Sequence, residues 1–172
     1  MRPEQKNFCG GAKGRRKGIS VHIVLVEPEI PANTGNISRT CAITGTSLHL
    51  VKPLGFSVDD KHLKRAGLDY WKYLDVHYHD SFPELKNKFP GHRFFFATTK
   101  AEKVYSEMQF GPEDFLVFGK ETAGLPKELL KENWDHCLRI PMGVQLRSLN
   151  LSNSVAIILY EALRQQGFPN LT

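Results

Sequence analysis

Three polar segments hold the side chains in this sequence whose types and spacing could do chemistry. They are EPEIPANTGNISRT (27–40), GKETAGLP (119–126) and MGVQLRSLNLSNS (142–154), and each follows an apolar run typical of a β-strand. In a parallel α/β sheet, ligands bind beyond the carboxyl ends of the strands. The three segments therefore predict one binding or catalytic site at a single edge of the sheet.

The sequence signatures of several other chemistries are absent. No G-x-G-x-x-G follows the first apolar run, FGKET lacks the upstream glycine and the Lys-Ser/Thr pair of a P-loop, and there is no G-x-S-x-G. His77 and His79 in DVHYHD would share one face of a strand and could chelate a metal, but no third ligand lies nearby in the sequence. We therefore favour two surface histidines and predict no metal site.

The positive charge of the chain is concentrated in its first 20 residues. The formal net charge is +5, and this segment carries six Lys or Arg residues against one Glu, which leaves 17 basic and 17 acidic residues in the remaining 152. Nucleic-acid binding by residues 21–172 must therefore depend on local basic clusters. The Gly-rich, apolar-poor composition predicts that residues 1–20 are a disordered tail, or an addition to the natural chain from a mis-assigned start ahead of Val21.

From residue 21 onward, apolar runs alternate with helical patterns. The runs are 21–26, 47–51, 92–98, 114–119 and 135–141, and the helical segments are 33–45, 59–67, 81–89, 126–133 and the stretch from 151. This alternation predicts a single α/β domain with a mostly parallel sheet flanked by helices. No run approaches the roughly 20 apolar residues of a membrane span. We expect a cytoplasmic protein whose Cys9, Cys41 and Cys137 are reduced thiols.

The last predicted helix is the clearest element, and a polar cluster stands at its start. An apolar stripe runs along one face, and Gly167 and Pro169 end the helix; the stripe consists of Leu151, Val155, Ile158, Leu159 and Ala162. Asn150 or Ser152 is predicted to cap the helix by accepting a free backbone N–H. Capping alone does not explain the whole RSLN sequence (147–150), so a ligand site at the same place is also predicted.

In combination, the three segments resemble the motifs of SPOUT-class RNA 2′-O-ribose methyltransferases, most closely the TrmL (YibK, CspR) tRNA family. The resemblance runs from about Val21 to the C-terminus, and KPLGFSVDDKHLKRAGLDYW (52–71) also looks like this family. It implies a C-terminal deep trefoil knot, S-adenosyl-L-methionine as methyl donor with S-adenosyl-L-homocysteine as product, no metal, and a homodimer. The implied substrate is the ribose 2′-hydroxyl of the wobble nucleotide, cytidine or uridine 34, in the anticodon stem-loop of leucine tRNAs.

The resemblance also implies a role for individual residues. The catalytic set would be Asn33, Arg39, Glu121, Ser148 and Asn150. The donor would be bound by Ala97, Gly119, Gly124, Ile140, Met142, Ser148 and Leu149. Contacts to RNA would come from Arg39, Lys61, Lys64, Arg65 and Arg147, although a solvated helix face is the ordinary explanation for the basic residues of 59–67.

Arg39 is expected to act on RNA rather than as a base, because a guanidinium stays protonated in proteins and forms a fork that matches a phosphate. Glu121 would stabilise its own loop or the amino group of the donor. Glycines 119 and 124 would let the backbone approach the adenosine closely, although glycines after a strand often serve only to turn the chain.

Two other functions remain open: a SPOUT-fold RNA-binding protein without turnover, and a 2′-O-methyltransferase of another RNA such as rRNA. For the homodimer, the apolar stripes of the first and last helices predict that Ile37, Cys41, Val155 and Leu159 pack both on the sheet and across a twofold interface.

Overall fold

Six parallel strands form the sheet around which the chain folds. A computed structural model describes residues 21–57, 70, 73–145 and 147–172. The strands are β1 (His22–Val26), β2 (Ser47–Val51), β3 (Val76–His79), β4 (Phe94–Ala97), β5 (Phe115–Gly119) and β6 (Cys137–Leu138). Their order in the sheet is β3-β2-β1-β5-β4-β6, and all the paired strands are parallel. The predicted α/β class with a parallel sheet is confirmed.

Helices cover both faces of this sheet. They are α1 (Pro31–Thr44), α2 (Phe82–Lys88), α3 (Lys127–Glu132) and α4 (Leu151–Gln165), and short 3-10 helices span Tyr105–Glu107 and Trp134–His136. On one face, α1 and α4 pack together over side chains such as Ile23 and Leu25. On the other face, Phe82 of α2 and Leu130 of α3 pack in the cluster that contains Val24. The central strands are therefore buried on both sides, as their unbroken apolar runs predict.

The boundaries of two elements differ from the predictions. Helix α1 begins at Pro31, two residues before the predicted start, because the fixed φ of proline suits the first helical position. Strand β6 has two residues, whereas the apolar run predicted a strand across 135–141. The predicted apolar stripe of α4 is confirmed, since Val155, Ile158, Leu159 and Ala162 are all buried and Leu151 is partly buried.

Several predictions fall on residues that the structure does not describe. These are the tail 1–20 with Cys9, and the helical segment 59–67 with its candidate RNA contacts Lys61, Lys64 and Arg65. Cys41 and Cys137 are free thiols in the core. None of the helices in the described residues combines the length and the apolar character that crossing a membrane requires.

The predicted dimer contacts through Ile37, Cys41, Val155 and Leu159 are wrong. All four side chains are fully buried where α1 and α4 pack on the sheet of their own chain, so they offer no surface to a second subunit. The stripes identify correctly which side of each helix is apolar. They cannot identify a partner, because intramolecular and intermolecular packing select the same residue types.

A row of histidines crosses the sheet on the α2 side. His22 Nδ1 lies 2.9 Å from His49 Nε2, and His49 Nδ1 lies 3.0 Å from His79 Nε2. The ring of His22 stacks on Phe115 with 4.2 Å between centroids. The expectation that His79 is a surface histidine is wrong, because only 2% of it is exposed. His77 lies at the rim of the row and pairs with Asp75 at 3.1 Å.

Burial keeps the inner histidines neutral. Burial and, to a smaller extent, neighbouring histidines lower the pKa of His49 to about 2 and that of His22 to about 4. The pKa of His79 is lowered by burial and by Lys88. The folded protein therefore excludes protons that the same side chains bind in the unfolded chain near pH 6.5. Stability from this row is complete above that pH and decreases as the pH falls toward 4.

We expect the free energy of unfolding to fall by about 2 kcal/mol or more between about pH 7.5 and about pH 5, since each histidine kept neutral contributes roughly that amount. Urea denaturation at the two pH values measures the change. His136→Gln removes an exposed histidine and should leave this difference intact. A free energy independent of pH over this range would contradict the assignment. Other titratable or charged groups near the row are Asp75, His77, Asp80, Glu84, Lys88 and His92.

Candidate active site

An open cleft lies at the carboxyl edge of the sheet, between the ends of β4, β5 and β6 and the start of α4. Its volume is about 520 Å³ including the solvent at its mouth. All seven residues predicted to bind the donor line this cleft: Ala97, Gly119, Gly124, Ile140, Met142, Ser148 and Leu149. We refer to it as the donor cleft.

The walls of the donor cleft combine apolar surface with a few polar groups. Phe118, Leu138 and Ile158 supply apolar side chains from two strands and a helix. Hydroxyls come from Thr98, Thr99, Ser148 and Ser154. Such a surface fits a ligand with a flat aromatic ring and hydroxyl groups, because the ring needs apolar walls and the hydroxyls need hydrogen-bonding partners. Within the described residues, no group of three His, Cys, Asp or Glu side chains is placed to hold a metal ion.

Local backbone geometry explains why glycine occupies both positions 119 and 124 of the second segment. A Cβ on Gly119 would lie 2.6 Å from Leu125 Cδ2 and 2.7 Å from the Leu125 backbone nitrogen, so only glycine fits at this close approach. Gly124 adopts a φ of +72°, the left-handed conformation that glycine favours, and no atom crowds it. These observations agree with the alternative that the glycines shape the turn after β5.

The carboxylate of Glu121 joins the second segment to the first. Its Oε2 accepts a hydrogen bond from the backbone N–H of Glu29 at 2.9 Å, and its Oε1 accepts from the N–H of Ile30 at 3.2 Å. Oε1 also accepts from Asn33 Nδ2 at 3.1 Å. One side chain on the loop after β5 thus satisfies backbone groups at the start of α1, where no side chain of the first segment caps the helix.

Asn33 continues this connection to the third segment. Its Oδ1 accepts a hydrogen bond from Asn150 Nδ2 at 2.9 Å, and only 5% of the residue is exposed. A carboxylate only accepts hydrogen bonds, so Asn33 must turn its NH₂ toward Glu121 and its oxygen toward Asn150. Both ends of the Asn33 amide are therefore occupied within the protein, and this side chain positions the loops.

Asn150 has two structural roles at once. Its Oδ1 accepts from the backbone N–H groups of Ser152 at 2.9 Å and Asn153 at 3.4 Å, which confirms the prediction of a side-chain cap on α4. Its NH₂ group donates to Asn33, as described above. The hydrogen-bond chain Glu121–Asn33–Asn150 therefore connects all three segments, ending at the first turn of α4.

Further contacts between the first two segments escaped the sequence analysis. Lys120 Nζ lies 2.8 Å from Glu27 Oε2, and Thr122 donates to Glu29 Oε2 through its hydroxyl at 2.7 Å and its N–H at 3.1 Å. The bonds from Thr122 lower the pKa of Glu29. Opposite charges and a hydroxyl in the two loops indicate that some of these side chains could interact. The sequence does not indicate which residue of one loop pairs with which residue of the other.

Of the three arginines predicted to bind RNA, the structure describes Arg39 and Arg147, and both are exposed and lie outside the donor cleft. Arg39 lies on α1 with its guanidinium carbon 4.9 Å from the centre of the Tyr70 ring. Six residues rotate a helix by about 600°, so Arg39 points about 240° around α1 from Asn33. Arg147 is exposed one residue before Ser148, which does line the cleft. Asn33, Glu121 and Asn150 are thus brought together, whereas Arg39 faces elsewhere.

Comparison with known proteins identifies the family. Residues 20–160 match the model of the SpoU rRNA Methylase family. The chain belongs to this methylase family. The resemblance predicted from the three segments is thereby confirmed, and this SpoU methylase is an enzyme of the methyltransferase class.

Individual relatives are similar over almost their whole length. A Bacillus subtilis protein, named provisionally as a tRNA (cytidine(34)-2′-O)-methyltransferase, is 55% identical over 156 residues, 89% of this chain and 98% of its own. A Methylovorus glucosotrophus protein named tRNA (cytidine(34)-2′-O)-methyltransferase is 53% identical over 147 residues, 85% and 96% of the two chains. A solved structure from work on 2-OH methylation of C/U34 on tRNA has 45% identity and a TM-score of 0.83, covering 87% of this SpoU methylase and 97% of that chain.

Glu121→Gln should lower the free energy of unfolding of this SpoU methylase by about 1 to 3 kcal/mol, because an amide NH₂ would then face N–H donors that the carboxylate now satisfies. Denaturant titration measures the loss. Glu128→Gln, an equal change on the exposed face of α3, is the control and should have little effect. Equal stability of the two variants would show that the Glu121 bonds do not hold the loops.

Proposed function

We propose that the chain is a cytoplasmic, S-adenosyl-L-methionine-dependent tRNA 2′-O-methyltransferase that acts on cytidine or uridine 34, the wobble nucleotide, of leucine tRNAs. The observation that carries this proposal is the hydrogen-bond chain Glu121–Asn33–Asn150, which holds three polar loops around one cleft at the carboxyl edge of the sheet. The substrate is supported by the two relatives above 50% identity whose names specify cytidine 34 of tRNA.

The donor cleft has surfaces that suit the methyl donor. Apolar side chains such as Ile140 and Leu149 suit an adenine ring, while the Ser148 hydroxyl can bond the polar part of the molecule. When bound, S-adenosyl-L-methionine supplies an electrophilic methyl group on a positively charged sulfur. No metal takes part in this proposal, because the sulfonium already activates the methyl carbon.

The protein contributes mainly position and charge to the reaction. The ribose 2′-oxygen would be the nucleophile toward the methyl carbon, the sulfur would leave as the neutral thioether of S-adenosyl-L-homocysteine, and the hydroxyl proton would pass to solvent water. Orientation of the reacting atoms can account for a large part of the acceleration. Ser148 and Asn150 stand at the mouth of α4 to orient donor and ribose, and Glu121 with Asn33 fixes Asn150.

Arg39 and Arg147 are proposed to hold the RNA. Both are exposed, and within the described residues neither forms an ion pair with a carboxylate. A guanidinium that binds a phosphate beside the target ribose lowers the cost of ionising the 2′-hydroxyl. The basic residues of 59–67 are proposed to extend this contact along the anticodon stem-loop.

The trefoil knot is part of the same proposal. The chain between Leu138 and Leu151 connects the edge strand β6 to α4, which packs against α1, and it borders the donor cleft together with the loops after β4 and β5. A crossing of these loops by residues 139–150 would bring Ile140, Ser148 and Leu149 to one ligand. This arrangement explains why a single cleft collects residues from such distant parts of the sequence.

An rRNA substrate is the second candidate, and the name of the matched family favours it. The two relatives described above, which are more than 50% identical to this chain, are named as tRNA methyltransferases, so we favour tRNA as the substrate. The two substrates separate directly in an assay with each purified RNA. An RNA-binding protein without turnover, the remaining alternative, would bind tRNA and transfer no methyl group.

Arg39→Ala should abolish methyl transfer to tRNA while it leaves donor affinity within a few fold, because Arg39 lies outside the donor cleft. Ser148→Ala should weaken donor binding, since one partner of the donor is lost at a cost of about 1 to 3 kcal/mol. Calorimetry with the donor and transfer of labelled methyl groups to tRNA in the presence of a chelator measure both effects. Loss of all wild-type activity in chelator would contradict metal-free transfer.

A homodimer is proposed as the working unit. Large apolar side chains of α1 and α4 remain exposed on the surface of the chain: Ile43, Ile157 and Tyr160. The two helices that carry them are packed against one another, so these residues can contribute to a continuous interface. A second subunit would also explain the orientation of Arg39. This side chain points away from the Asn33–Asn150 pair of its own chain and would serve the site of the partner subunit.

Light scattering should give about twice the chain mass of 19.5 kDa. Co-expressed Arg39→Ala and Asn150→Ala chains test the shared site: about a quarter of wild-type activity should return, because half the dimers are mixed and each has one intact site. Both homodimers serve as inactive controls. A fully active monomer would disprove the dimer, and an inactive mixture would assign each site to one chain.

A further inference from the structure

A second cleft opens beside the donor cleft, on the other side of the turn after β4. Five residues line it: Lys100, Lys127, Leu130, Lys131 and Trp134. Its volume is about 570 Å³ including the solvent at its mouth. We call it the lysine–tryptophan cleft. The sequence alone indicates no common function for these residues, because Lys100 lies in the turn after β4, far in the sequence from the two consecutive short helices that carry the others.

The lysines give this cleft a concentrated positive charge. None of the three forms an ion pair with a carboxylate in the described part of the chain. The 152 residues after the tail carry equal numbers of basic and acidic side chains, so an unpaired group of three lysines is not a consequence of bulk charge. Clustered unpaired cations attract polyanions and hold phosphate groups.

Trp134 gives the cleft a flat aromatic surface. It is 41% exposed, although its neighbours in the chain are well anchored. The backbone N–H of Cys137 donates to the carbonyl of Trp134, and Asn133 Nδ2 donates to the carbonyl of Leu129 at 2.8 Å. The indole is therefore presented on a fixed turn, which reduces the entropy lost when a partner stacks on it.

The position of the cleft relates it to the transfer reaction. Thr98 and Thr99 line the donor cleft, and the next residue, Lys100, lines the lysine–tryptophan cleft. Consecutive Cα atoms are about 3.8 Å apart. The two clefts therefore meet at this turn, but Leu130 packs on the α2 side of the sheet and Ile158 on the α4 side. An RNA strand in the donor cleft must pass around the turn after β4 to reach Trp134.

We infer that the lysine–tryptophan cleft binds an unpaired nucleotide of the RNA substrate, with its base stacked on Trp134 and its phosphates on the lysines. This inference rests on the proposed function and adds a second RNA site to it. Base stacking on an aromatic side chain tolerates any base, whereas the lysines bind the backbone. An acidic peptide would satisfy the lysines but would leave the indole face without a matching ring, so a nucleotide fits the lining better.

Three variants test the cleft: Trp134→Ala, Trp134→Phe and the double variant Lys127→Gln with Lys131→Gln. Trp134→Ala should raise the Kd for tRNA and the KM about tenfold, with donor affinity unchanged, because stacking is lost. Trp134→Phe should restore much of the affinity, since it keeps an aromatic ring. The double lysine variant should reduce the slope of log K against log salt by about 1.5. Lys86→Gln, an exposed lysine of α2 outside the cleft, is the matched control.

Tryptophan fluorescence gives a direct reading of stacking. A short single-stranded oligonucleotide should quench the emission of wild-type protein, and the part of the quenching due to Trp134 should vanish in Trp134→Phe. Equal quenching by an acidic peptide would overturn the inference. So would tRNA affinity within twofold of wild type in both Trp134→Ala and the double lysine variant. If these variants weaken RNA binding but wild-type protein transfers no methyl group to tRNA, the proposed reaction fails and the cleft assignment stands.

Discussion

The Glu121 carboxylate is the contact on which the geometry of the candidate site depends. It accepts hydrogen bonds from two backbone groups at the start of α1 and from Asn33, which in turn binds Asn150. A carboxylate only accepts hydrogen bonds, and the free N–H groups at the start of α4 only donate them. The side-chain amides of Asn33 and Asn150, which lie between these two groups, can therefore adopt only one orientation each. One negative charge therefore sets the direction of a three-residue hydrogen-bond chain and with it the relative position of three loops that are far apart in the sequence.

The fold class and the edge of the sheet that carries the site could be predicted because their signals are local: apolar runs mark the strands, and residues that follow parallel strands meet at one edge. The individual lining residues, such as Ala97, Gly119 and Ile140, could be assigned only through the resemblance to the methyltransferase family. The pairing of Lys120 with Glu27 could not be predicted, since charges along a sequence do not specify partners in space. His79 was misjudged for a related reason: a histidine is usually exposed, and its burial depends on neighbours such as His49.

The two faces of the sheet serve different purposes. The α1 and α4 face carries the donor cleft and the loops that form it, whereas the α2 face contains the row of neutral histidines among aromatic rings. The row of histidines runs diagonally from His22, the first residue of β1, to His79, the last residue of β3, on the face of the sheet away from α1 and α4. Their hydrogen bonds satisfy polar atoms that would otherwise be costly to bury. The donor cleft and the pH-sensitive packing thus lie on different faces of the sheet.

The double role of Asn150 restricts which amino acids evolution can accept at this position. Serine, threonine and aspartate are ordinary helix caps, yet none offers the Asn33 oxygen an amide N–H. Glutamine has the right groups on a longer side chain that cannot cap with the same geometry. Several residues can cap α4, and several can donate an N–H to the Asn33 oxygen. Asparagine is the residue that does both with this geometry. The cap of α4 and the geometry of the candidate site consequently cannot change independently of one another. A substitution of Glu121 or Asn33 in the hydrogen-bond chain cannot be compensated by a simple substitution of Asn150.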